Sequence, residues 1–289
     1  MCKWCLKHGA NGKWYLNAKN YLGTTSNNYK YTVDYLEVLW GNLERVYLGK
    51  AMGMTINNII DYRLKMPLFG KIIKWMVNKK LQKEKNPNPR IAEGHFGQVI
   101  PLEEAKLIAT TLSDINILAL CPCRYMHRGV KVQSCIGFTA LAEVLPKLPR
   151  FIPENGVEIL DADKAEQFLE TMNQEAKVHT IWWGPIPSIA AMCSCEYPQC
   201  MGLKTRIDFD IQTVIKGEYI AMVDPNKCTS CKKCISRCQF GAINYSPSLS
   251  RPNIDPKRCY GCGLCKEVCE NNAITLVDRN EILTLKGVY

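Results

Sequence analysis

Two stretches near the C-terminal end, Cys228-Thr-Ser-Cys231-Lys-Lys-Cys234-Ile-Ser-Arg-Cys238 and Cys259-Tyr-Gly-Cys262-Gly-Leu-Cys265-Lys-Glu-Val-Cys269, carry the same C-x2-C-x2-C-x3-C spacing 31 residues apart. Their flanks repeat as well: Asp224-Pro225 matches Asp255-Pro256, and Ala242-Ile243 matches Ala273-Ile274. An internal duplication explains the pattern. Eight soft thiolates at two-residue steps are a ligand set for thiophilic metal.

Over residues 218–278, about a fifth of the chain, these runs resemble the bacterial-type two-cluster ferredoxins. The resemblance implies a pseudo-twofold α+β module with two [4Fe–4S] clusters, in which the fourth cysteine of each run reaches across to the other cluster. Carried over position by position, Cys228, Cys231, Cys234 and Cys269 hold one cluster, and Cys259, Cys262, Cys265 and Cys238 hold the second. A tight turn lets three thiolates grip three corners of a cubane while backbone N–H groups point at its sulfides, so the protein sets charge, solvation and hydrogen bonding, and with them the potential. The proline that usually follows the fourth cysteine is replaced by Gln239 and Glu270. Glu270 is expected to bring negative charge near a cluster and lower its potential. Zinc, or clusters that only staple the fold, are the plainer alternatives; two clusters side by side form a conduction path that a staple would not need.

Sixteen cysteines in a 289-residue chain whose Met1 end lacks an apolar leader pattern read as reduced metal ligands in a cytoplasmic setting, not as a secreted disulfide framework. At 47% hydrophobic residues the chain can bury a true core, and no apolar run reaches the roughly 20 residues that span a bilayer. The net charge of +10 is concentrated: residues 61–90 hold nine Lys/Arg against Asp61 and Glu84. Segment 63–85 is therefore the place for an acidic redox partner or peripheral contact with anionic lipid; sparse aromatic interleaving argues against nucleic acid.

Eight further cysteines lie outside the module: Cys2, Cys5, Cys121, Cys123, Cys135, Cys193, Cys195 and Cys200. Cys121-Pro-Cys123-Arg124 and Cys193-Ser-Cys195 are C-x-C pairs, each with a partner further on, Cys135 and Cys200. Three arrangements stay open: one six-cysteine site; one or two further [4Fe–4S] clusters completed by Cys2 and Cys5; or tetrahedral zinc. Unligated thiols are the bland alternative, above all for Cys2-Lys-Trp-Cys5. The whole pattern loosely resembles uncharacterised 4Fe-4S binding proteins of anaerobic microbes, which names no reaction.

The fold expected is α+β or α/β: a mixed body with helices and a small sheet over 1–217, then the ferredoxin-like module over 218–289. Within the body, residues 1–30 read as irregular and 35–90 as helical and basic. Helices are expected over Leu68–Gln82, Pro101–Ser113, Phe138–Val144 and Ala162–Lys177, a strand over Ile115–Leu120, and a hinge at Gly217. Arg124 is a candidate donor to a cluster sulfide or a substrate carboxylate, or else a surface salt bridge. His127 is the best candidate histidine ligand or proton donor; His179, in an apolar run, reads as a core residue. No nucleotide loop, flavin fingerprint or C-x3-C-x2-C radical motif is present. The reading is an electron-transfer component that docks on a redox partner or larger oxidoreductase in low-potential anaerobic metabolism. Its rivals are a stand-alone reductase with an open site near Arg124 and His127, and a zinc-stabilised sensor or docking protein.

Overall fold

The computed structural model describes residues 13–21, 33–34, 36–38, 41, 65–67, 69–83, 97–149, 152–153, 156–183 and 189–285. Cys2, Cys5 and most of the stretch 35–90 expected to be helical and basic lie outside them, as does the side chain of His127.

Seven strands of the described residues form one sheet: β1 (Gly97–Val99), β2 (Asn116–Leu120), β3 (Gln133–Phe138), β4 (Glu158–Leu160), β5 (Val178–Trp183), β6 (Ile189–Cys195) and β7 (Val214–Ile215), in the order β4-β2-β3-β6-β5-β1-β7. Every pairing is antiparallel except β1 with β7. Of the two fold classes expected, the structure is therefore α+β. The element between β2 and β3, α3 (Pro122–Arg128), is only seven residues long, too short for the crossover that parallel strands require.

Strand alternation divides the core between the two faces of this sheet. Leu118, Ile136 and Phe138 point toward α2 (Leu102–Leu107), its π-helical continuation Ile108–Leu112, and α5 (Ala162–Gln174). Ile117, Ala119, Cys121 and Cys135 point to the opposite face, against α4 (Thr139–Val144). Helix α5 starts where the Asp161 carboxylate accepts from the Lys164 N–H at 2.8 Å, and it buries Ala165, Leu169 and Met172 along one stripe. The basic helix α1 (Phe69–Lys83) forms where expected, but Phe69, Ile72, Trp75 and Met76 are each about half exposed, so its apolar side is not a core face.

After α6 (Met201–Phe209) and β7 the chain enters the duplicated segment. Here β8 (Tyr219–Val223) pairs with β11 (Ile274–Asp278), and β9 (Ile243–Ser246) with β10 (Arg251–Ile254); the short helices α7 (Lys233–Arg237) and α8 (Leu264–Glu267) sit at matching places in the two copies. The 31-residue repeat of the sequence holds in backbone detail. Left-handed conformations occur in register at Ser230 and Gly261, Lys232 and Gly263, and Gly241 and Asn272. The Ala242 and Ala273 N–H groups donate to Cys238 Sγ and Cys269 Sγ, each at 3.3 Å.

Gly217 is not a free hinge. Its N–H donates to the Tyr260 carbonyl at 2.9 Å, its own carbonyl accepts from Arg279 Nε at 3.1 Å, and a Cβ there would lie 2.7 Å from the Val99 carbonyl oxygen. A glycine is needed because two backbones meet at this point.

Candidate metal centres

Two hollows open in the duplicated segment, with about 340 and 360 Å³ of atom-free space. Cys238, Cys259, Cys262 and Cys265 line the first, with Phe240, Ile243 and Leu264; Cys228, Cys231, Cys234 and Cys269 line the second, with Val223, Val268 and Ile274. Each hollow thus draws three thiols from one run and the fourth from the other. The left-handed residues turn the run so that its backbone N–H groups serve the sulfurs, that of Gly261 for Cys259 and that of Leu264 for Cys262, and β8 adds the Ala221 N–H at 3.4 Å from Cys259 Sγ. Burial disfavours thiolate here: desolvation pushes the Cys234 thiol up to about 11 and Cys262 up to about 12. Backbone hydrogen bonds offset part of that penalty and a bound cationic group would offset more, so the donor set and its surroundings fit a metal–sulfur group.

The body brings together a different kind of site. The six thiols of Cys121, Cys123, Cys200, Cys195, Cys193 and Cys135 follow one another in a closed ring, each shifting the ionisation of the two beside it. Cys195 and Cys200 are 3.2 Å apart, Sγ to Sγ. Sheet register builds one side of the ring, because Cys135 on β3 lies directly opposite Cys193 on β6. Cys121 caps α3, whose first turn supplies Cys123, and Cys200 precedes α6. Cys121 is held low by the Cys123 and Cys135 thiols that donate to it, and Cys195 by Cys193 and Cys200. The other four are pushed up; for Cys200 the pull of Cys123 is outweighed by Cys195 and burial. Among the described residues, no three Cys, His, Asp or Glu side chains are already grouped as a bound ion would hold them, at the ring or in either hollow.

Arg124 laces the ring from behind. It is buried, its N–H approaches Cys121 Sγ at 3.5 Å, and its Nη2 donates to the Ser194 carbonyl at 3.2 Å, with Glu196 at 3.7 Å from Nε. It is neither a surface salt bridge nor a group open to a substrate carboxylate. His179 is a core residue as expected: it is 1% exposed, its Nδ1 lies 3.3 Å from Ser194 Oγ, and desolvation lowers it to about 4. Glu270 pairs with Lys233 at the exposed rim, so its charge does not stand alone beside a hollow.

Three residues whose positioning role the sequence does not show brace the sites. The Gln239 side chain accepts from the Tyr197 N–H at 2.7 Å and donates to the Ala176 carbonyl, bracing Cys238 against the loop between Cys195 and Cys200. Tyr260 stacks on Phe240 at 4.1 Å and accepts from Arg206 Nε at 2.9 Å. Arg279, fully buried, donates to the carbonyls of Gly217, Tyr219 and Cys259. Only Gln239 leaves a trace in the sequence, as the residue standing where proline usually does.

The model of the 4Fe-4S dicluster domain matches residues 220–270. No curated protein matches the chain. The C-terminal segment is thus a ferredoxin-type iron–sulfur module, and the function it supports is electron transfer. No helix among the described residues is long and apolar enough to cross a membrane.

Proposed function

We propose that the chain is a one-electron carrier or carrier subunit whose module, residues 218–289, holds two [4Fe–4S] clusters and exchanges electrons with a redox partner protein. Cys228, Cys231, Cys234 and Cys269 hold one cluster, and Cys259, Cys262, Cys265 and Cys238 the other. The observation that carries this reading is the exchange of the fourth cysteine between the two hollows, which a pair of independent zinc sites would not need. A bound cubane supplies one-electron chemistry without proton or bond rearrangement. The residues of the chain do the rest. Thiolates fix the group, N–H groups such as those of Ala221, Ala242 and Ala273 lower the cost of negative charge on sulfur, and the apolar lining of Ile243, Leu264 and Ile274 excludes water. Cys231, the exposed cysteine of the set, marks the side on which a partner would approach.

The test is pairwise. Cys269→Ser and Cys231→Ser should alter the same reduced-state EPR signal, and Cys238→Ser and Cys262→Ser the other. Signals that group instead by run, with Cys238→Ser acting on the cluster of Cys231, would sink the assignment.

A further inference from the structure

Outside the module, the molecule holds one assembly of nucleophilic side chains that an electron-transfer ferredoxin does not call for. Six thiols from four parts of the chain close into a ring over the paired strands β3 and β6 and beside the starts of α3 and α6, and four of them are less than a tenth exposed. Isolated buried cysteines behave as small hydrophobes and need not touch one another. Here all six lie together, Cys121, Cys123, Cys135 and Cys193 in one apolar cluster and Cys193, Cys195 and Cys200 in the next, and the neighbouring elements serve the sulfurs. Thr180 Oγ1 lies 3.2 Å from Cys195 Sγ and is itself held by Trp182 Nε1 at 2.8 Å, while the Arg124 backbone serves Cys121.

We propose that Cys121, Cys123, Cys135, Cys193, Cys195 and Cys200 form one polynuclear metal–thiolate site for thiophilic divalent ions, iron or zinc. The donor count carries the nuclearity. A tetrahedral ion takes four thiolates at about 2.3 Å, so a single ion would leave two thiols of a closed ring unused. Two ions that share bridging thiolates would each be held by four sulfurs and together engage all six. The donors are all sulfur, which selects zinc, iron–sulfur or Cu(I) over the hard cations. Divalent charges, with the buried Arg124 guanidinium, offset the negative charge of the thiolates.

The site abuts the module. Cys193, Cys195 and Cys200 belong to the same apolar cluster as Cys238, Cys262, Phe240, Tyr260 and Leu264, so its walls are continuous with the hollow of Cys238, Cys259, Cys262 and Cys265. Gln239 fixes that junction from the module side.

The experiment counts iron, zinc and acid-labile sulfide per chain in the anaerobically purified full-length protein, in Cys121→Ser/Cys195→Ser and in Cys231→Ser/Cys262→Ser. The expected result is a loss of at least two ions in the first variant and their retention in the second, with the element lost telling iron from zinc. Because the readout is a difference between chains, failure of the module assignment would leave it intact. A difference of one ion or none overturns the proposal. The wild-type chain gives a second measurement that does not depend on how a variant folds. Alkylation followed by mass mapping should find all six ring cysteines protected until a chelator is added and then labelled together. Protection that is indifferent to the chelator, or disulfides among the six in metal-free protein, overturns it as well.

Discussion

The side-chain oxygen of Gln239 accepts the backbone N–H of Tyr197 at 2.7 Å, tying the residue after Cys238 to the loop that joins Cys195 to Cys200. One amide thus links the two kinds of cysteine site, at a position where the ferredoxin pattern has proline and could make neither bond.

Gln239→Ala removes both partners of a part-buried bracket and leaves the Tyr197 N–H and the Ala176 carbonyl unsatisfied. It should cost about 1–3 kcal/mol, with the module's iron unchanged. Anaerobic denaturant unfolding followed by tryptophan fluorescence checks this. An unmoved midpoint would show that the amide is not a brace.

Gly261 and Ser230 occupy equivalent left-handed positions but differ in surroundings. A Cβ on Gly261 would sit 2.2 Å from the Tyr219 carbonyl oxygen, whereas Ser230 already carries a side chain that donates to the Ser250 carbonyl at 2.5 Å. Gly261→Ala should destabilise by more than about 3 kcal/mol, from left-handed strain plus a backbone clash. Ser230→Gly should stay within about 1 kcal/mol, as a lost surface bond is offset by relaxed backbone. Equal effects in thermal unfolding would contradict the asymmetry.

His179 gives a pH dependence of definite sign. Burial lowers its folded-state value to about 4 from an unfolded value near 6.5, so between these limits the unfolded chain binds more protons. The full contribution is present above about pH 6.5 and is lost as pH falls toward 4, by about 3 kcal/mol. His179→Asn should lack that part of the slope. Comparing the two chains at pH 7 and 4.5 cancels acid loss of metal, which is common to both; parallel curves would refute the assignment.

The module was legible because ligand spacing is local: two-residue steps, repeated with their flanks at one offset, mark a ligand set, and the resemblance to two-cluster ferredoxins implies which thiols are grouped. The body was legible only in pieces. The short β-branched run Ile115–Leu120 locates β2, and the helices expected over Phe138–Val144 and Ala162–Lys177 form as α4 and α5, but nothing in a C-x-C pair says that Cys135 will face Cys193, since that contact is set by the register of β3 on β6. The same blindness to long-range contact explains Gly217, whose composition suggests a hinge and whose neighbours Val99 and Tyr260 make it a close approach. Helix α1 forms where the sequence places it, while its apolar residues Phe69, Ile72, Trp75 and Met76 stay about half exposed.

The central claim is that the module is a two-cluster electron carrier, and quantitative EPR of the dithionite-reduced, anaerobically purified full-length chain tests it most directly. The account predicts two interacting [4Fe–4S]⁺ signals that integrate to about two spins, with about eight irons assigned to the module. A single cubane signal, or zinc in place of iron at the cysteines of residues 228–269, would contradict it.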